Sequence, residues 1–129
     1  MHTSSDRQIA TLVCALFLLV ASAALRAADV SGTWTASFDT QIGKQNYTYT
    51  FKVDGATLTG RAKSDNGDVE IKDGKVSGDT VSFVENLSLQ GMDLKISYTG
   101  KVVSDDEIRF TRDVAGIAME ELVAKRVKR

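Results

Sequence analysis

From residue 32 onward, apolar and polar residues alternate with a period of two along almost the whole chain. That spacing suits half-buried strands and little else. Trp34, Ala36 and Phe38 fall on one face against Thr33, Thr35 and Ser37, and Tyr47, Tyr49, Phe51 and Val53 fall against Asn46, Thr48, Thr50 and Lys52. Val81 and Phe83 continue in phase to Leu87 and Leu89. Met92, Leu94, Ile96 and Tyr98 form a further face, and Ile108 and Phe110 another. β-Branched and aromatic side chains dominate these runs, as a pleated surface favours. Asp54-Gly55, Asn66-Gly67 and Asp73-Gly74 carry the chemistry of tight hairpins, while Gly78-Asp79, Gln90-Gly91 and Ser104-Asp105-Asp106 mark further reversals. The chain has no proline to interrupt a strand.

The pattern predicts eight or nine strands near 32–39, 45–53, 57–64, 68–72, 75–77, 80–89, 92–103, 106–112 and 118–127. Short connections make successive strands antiparallel neighbours, and closing the meander removes its exposed edges. The expected fold is all-β: a small antiparallel up-and-down barrel of about eight strands, lipocalin-like in character. One stretch disagrees locally. Ala115 to Lys125 is rich in helix formers, but closure needs a last strand there, and a strand is the expectation.

The first residues follow a different logic. Met1 to Gln8 is polar and carries Arg7, Ile9 to Val20 is apolar, and Ala21 to Ala28 is dominated by small residues. This order predicts a secretory signal peptide over 1–28, cut near Ala27 or Ala28, with Ala21-x-Ala23 as a competing site. The apolar run is short for a retained transmembrane helix. The expected product is a single domain over 29–129, secreted or periplasmic, with no membrane span once the signal is removed.

Composition then narrows the chemistry. Cutting at Ala28 takes Lys+Arg from 16 to 14 and Asp+Glu from 17 to 16, a net charge of −2. A nucleic-acid partner would want a basic domain, so none is expected. Cys14 and His2 are the only residues of their types, and both leave with the signal. The mature chain therefore has no disulfide, no Cys or His nucleophile and no His/Cys metal site, so metal and cofactor are both expected to be none. Any acid–base chemistry falls to carboxylates, Lys or Tyr. Asp65-Asn66-Gly67-Asp68-Val69-Glu70 gathers oxygen ligands but lacks the spacing of a calcium loop, and an Asn-Gly hairpin is the simpler reading. The basic tail Lys125 to Arg129 is read as a solvated terminus.

Gly32-Thr33-Trp34, at the start of the first strand, resembles the first signature of lipocalin-like barrels. That resemblance implies a Trp closing one end of the barrel with a basic residue from a late strand stacked on it. Arg126, or else Arg112, is the candidate, and both Trp34 and Arg126 are expected to be structural. Gly32-Thr33-Trp34, Tyr49-x-Phe51-x-Val53-Asp54-Gly55, Leu58-Thr59-Gly60, Asp73 to Phe83, Tyr98-x-Gly100-Lys101-Val102 and Ala124-Lys125-Arg126 occur in that order. In this the chain resembles a family of small exported bacterial β-domains, some named endo-xylanase- or glycoside-hydrolase-like. The resemblance implies a fold and an association with carbohydrate-active proteins. It supplies no catalytic residues.

Candidate site residues come from breaks in the alternation. Glu85 shares the face of Val81, Phe83, Leu87 and Leu89, and Arg112 follows Ile108 and Phe110 in phase. With Leu122 and Ala124 inward, Glu120 and Arg126 point inward too. A buried unpaired charge is costly, so these groups must pair or meet a ligand or water. Two alternatives stay open for Glu85: a bulge that turns it outward, or an internal ion pair with Arg112 and no ligand. The expected function is a non-catalytic binding or accessory domain acting as a monomer. A small molecule or a carbohydrate would sit in the barrel mouth against Glu85, Arg112, Tyr47, Tyr49 and Tyr98. A hydrolase using Glu85 and Glu120 as paired carboxylates is the rival, and a structural envelope protein with a filled barrel is the third reading.

Overall fold

The computed structural model describes residues 28–128. The expected signal segment lies outside them, apart from Ala28, as does Arg129. Nine strands follow in order: β1 (Gly32–Thr40), β2 (Gly43–Asp54), β3 (Thr57–Ser64), β4 (Gly67–Glu70), β5 (Lys72–Ser77), β6 (Thr80–Leu89), β7 (Met92–Ser104), β8 (Glu107–Val114) and β9 (Ala118–Arg126). All pairings are antiparallel. The ring β1-β2-β3-β5-β6-β7-β8-β9 closes on itself, and β4 is the additional strand, attached to the outer half of β3. The fold is therefore an all-β, eight-strand up-and-down barrel with one extra strand.

Asp73-Gly74 is not a hairpin turn, in contrast to the sequence expectation. Both β4 and β5 run antiparallel to β3: Arg61↔Glu70 pairs in one half, Leu58↔Gly74 in the other. Only Ile71 separates them, and its amide donates to the Gly60 carbonyl at 3.0 Å. The two pieces thus share one direction, and a bulge lies just inside β5, where Asp73 adopts φ +53° and one extra residue between Lys72 and Lys75 slips the register against β6. A residue with positive φ followed by Gly serves a bulge as well as a turn, which is why the dipeptide misleads. Gly74 itself is required sterically, because a Cβ there would lie 2.0 Å from the Leu58 carbonyl oxygen.

β9 is a strand over its full length, although its composition favours helix. It pairs with β8 from Val114↔Ala118 to Glu107↔Lys125, which places Leu122 and Ala124 inside. Pairing and burial outweigh a helix preference of a few tenths of a kcal/mol per residue.

Aromatic rings fill the middle of the barrel. Tyr49, Phe83, Tyr98 and Phe110 are all essentially inaccessible, and their neighbouring centroids lie 4.3–6.3 Å apart in stacked, tilted and edge-on pairs. Gly100 makes room for this packing, since a Cβ there would meet the Phe110 ring at 2.4 Å. One end is sealed. Trp34 Nε1 donates to the Val30 carbonyl at 2.9 Å, and the Arg126 guanidinium lies 4.5 Å over the indole. Arg126 also donates to the carbonyls of Asp105 (2.7 Å), Ser31 (2.6 Å) and Asp29 (3.2 Å). One side chain thus ties the segment before β1 to the β7–β8 turn and to β9.

Candidate functional site: the barrel mouth

The opposite end is open. A cavity of about 200 Å³ enters between the β1–β2, β3–β4, β6–β7 and β8–β9 hairpins. Its walls are aliphatic, with Leu87, Leu89, Met92, Leu94, Val114 and Ile117 among them. Ile42, Met92 and Ile117 are more than half exposed at three separate hairpin tips and make an apolar rim. Gln45, Tyr47, Arg112 and Glu120, with Thr40, Gln41 and Asn66 nearer the rim hairpins, supply the polar part of the lining. Gln45 is in phase with Tyr47 and Tyr49, so its inward position was visible in the alternation although no site role was drawn from it. Its carbonyl oxygen accepts from Asn66 Nδ2 at 2.8 Å, which ties the β3–β4 turn to β2.

Arg112 is the centre of the floor. It sits on β8, opposite Tyr98 of β7 and Glu120 of β9. Three rings enclose its guanidinium, with centroids at 5.1 Å (Phe38), 5.2 Å (Tyr47) and 5.4 Å (Tyr98). The alternation puts Phe38 on the inward face of β1, but its place under Arg112 depends on barrel closure. Nη1 donates to Tyr98 Oη at 2.7 Å. Nε lies 2.8 Å from Glu120 Oε1, but its N–H does not point at that oxygen, and neither buried atom has a hydrogen-bond partner.

Glu85 lies one layer deeper, 1% exposed, and is not part of the cavity lining. Tyr47 Oη donates to its Oε2 at 2.9 Å and Tyr98 Oη to its Oε1 at 2.8 Å. Tyr49 Oη and Tyr98 Oη are 3.0 Å apart. Because the Tyr98 proton is committed to Glu85, Tyr49 is the donor in that contact. Arg112 Nη1 is 4.0 Å from Glu85 Oε1, so Tyr98 stands between the two charges as a relay.

The network sets the proton affinities. Burial pushes the Glu85 carboxyl above its ordinary range, against the Tyr98 and Tyr47 hydrogen bonds and the Arg112 charge. Burial likewise raises Tyr49 and Tyr98, holding both as neutral phenols. Burial alone would lower Arg112, but the neighbouring Tyr98, Tyr47 and Glu85 outweigh it and keep the guanidinium charged.

Of the residues expected to touch a ligand, Tyr47 and Arg112 reach the cavity. Glu85, Tyr49 and Tyr98 brace them from behind. Glu120, expected only as a possible second carboxylate, is at the surface of the floor. Trp34 and Arg126 are at the far end. Among the described residues no group of His, Cys, Asp or Glu is arranged to hold a metal ion, and Asp68 of the acidic turn is paired with Arg61 at 2.8 Å. Comparison with family models, with curated proteins and with solved structures finds no match to this chain.

Proposed function

We propose that this chain is an exported, non-catalytic binding domain that takes a small amphipathic molecule into the barrel mouth. The observation that carries the reading is the cavity itself: apolar walls and an apolar rim end on a charged floor braced by a closed tyrosine network. Sites of this kind bind through apolar contact and orient through a few polar groups. A cavity of about 150 Å³ holds benzene, so about 200 Å³ suits a ligand of roughly eight non-hydrogen atoms.

The aliphatic wall favours a small molecule over the carbohydrate alternative, because Tyr47 is the one aromatic ring in the lining. The hydrolase alternative asks for two carboxylates flanking a substrate bond. Here Glu85 is shut behind two phenols and Glu120 sits beside the Arg112 guanidinium, so the two carboxylates do not flank a common open space. The export signal pattern and the resemblance to small exported β-domains fit a binder working outside the cytoplasm.

Titration of the 29–129 domain with 1-hexanol, followed by amide NMR, tests the proposal. Shifts concentrated at Leu87, Leu94, Ile117 and Ala118, and abolished by Ala118→Trp, are expected. Shifts scattered over the surface, or release of reducing ends from xylan that disappears in Glu85→Gln and Glu120→Gln, would overturn it.

A further inference from the structure

We infer that the polar end of the ligand is uncharged and carries a donor and an acceptor together, as an alcohol or a primary amide does. The inference rests on the mouth-binding reading above and adds the chemistry of the headgroup. It begins from two atoms. Arg112 Nε and Glu120 Oε1 are buried, adjacent at 2.8 Å, and both without a hydrogen bond. A buried polar atom left unpaired is costly, more so when its group is charged. Two such atoms side by side, on residues that line the cavity, form a matched donor and acceptor.

Glu120 is the outermost member of this floor, its side chain 11% exposed against 5% for Arg112. The terminal torsion of a Glu side chain is broad, so a modest turn of the carboxylate opens a wedge between the two groups. A hydroxyl entering there accepts from Arg112 Nε–H and donates to the carboxylate. A primary amide does the same with its oxygen and its NH2.

Charge and placement together exclude the ionic headgroups. The floor holds one guanidinium and two carboxylates, those of Glu120 and Glu85. With Glu85 ionised the floor is net negative; with Glu85 protonated it is neutral. An anionic head would add negative charge in either state, in a place with little water to screen it. A cationic head would have to lie against the Arg112 guanidinium. Only a neutral head fills the wedge without bringing an uncompensated charge out of water.

Four probes with one six-carbon chain separate the possibilities at pH 7: 1-hexanol, hexanamide, hexanoate and hexylammonium, titrated by amide NMR. The expected result is that hexanol and hexanamide bind at least tenfold more tightly than the two ions. Hexanoate or hexylammonium binding as tightly as hexanol would overturn the headgroup inference and leave mouth binding standing. No binding by any probe would remove the mouth-binding reading itself. Glu120→Gln supplies an internal control, because it removes one negative charge beside Arg112. The hexanol-over-hexanoate preference is then expected to shrink at least tenfold. An unchanged preference in a folded variant would show that the floor does not choose the head.

Discussion

Tyr98 carries more of the buried network than any other single residue. It donates to Glu85, accepts from Arg112 and Tyr49, and stacks on Phe83 at 4.3 Å. Tyr98→Phe leaves both a carboxylate oxygen and a guanidinium N–H unpaired in the interior, and we expect a loss of about 3 kcal/mol in urea denaturation. Tyr47→Phe removes one donor to Glu85 and is expected to cost about 1–2 kcal/mol, and Tyr49→Phe less again. A different order of the three would break the assigned hydrogen-bond directions. Glu85 also gives the domain a signed pH response. Its carboxyl is raised by burial, so the folded state binds the proton more readily than the unfolded chain. That stabilisation is complete below the ordinary carboxylate range and is lost as pH rises through the folded-state pKa. The surface groups Glu70, held low by Lys72, and Glu107, held low by Lys125 and Arg109, act in the opposite sense: their contribution is present above the ordinary range and fades as pH falls. Subtracting the Glu85→Gln profile isolates the buried group. Relative to that variant, wild type is expected to lose stability as pH rises above the ordinary carboxylate range, and a flat difference would mean Glu85 ionises as it does in water. The inward phase of Glu85 and Arg112 was legible in the alternation. That a tyrosine hydroxyl stands between them was not, because it depends on which strands face each other.

At the scale of the elements, the bulge near the start of β5 is where local signals mislead most. The bulge needs a residue that tolerates positive φ, filled by Asp73, and then a residue without a side chain, filled by Gly74. Gly74→Ala drives a methyl group into the Leu58 carbonyl, and overpacking of this kind costs about 1–3 kcal/mol. A domain near this size then loses about 4–8 °C of Tm per kcal/mol, measurable by thermal circular dichroism. An unchanged Tm would mean that β3 and β5 separate without penalty. The five hairpins from β2–β3 to β7–β8, this bulge aside, were legible because their turn residues act over four positions, as in the β6–β7 turn, where Gln90 and Gly91 both adopt positive φ. β9 is the converse case. Its residues favour helix one by one, and only the waiting edges of β8 and β1 make it a strand.

Across the whole molecule, closure is uneven. β6 and β7 pair from Thr80↔Lys101 to Leu89↔Met92, whereas β1 and β9 stay in register only at Trp34↔Arg126 and Thr35↔Lys125. The Arg126 clasp holds the sealed end of that seam, and towards the mouth the ladder stops. Native-state hydrogen exchange is expected to show the lowest opening free energies at seam-facing amides within Ser37–Thr40 and the highest in β6 and β7. Uniform protection around the barrel would contradict an uneven seam. Strand positions, inward faces and most turns follow from the sequence alone, since each depends on residues two to four apart and on a pleat that repeats every second residue. The tertiary structure alone decided that Asp73-Gly74 bends a strand rather than reversing it. It alone decided that Arg112 is caged by Phe38, Tyr47 and Tyr98, and that Glu85 lies behind the cavity while Glu120 borders it. The physical reason is that contacts across a barrel depend on how the ring closes and staggers, a property of all the strands together that no short stretch of chain encodes.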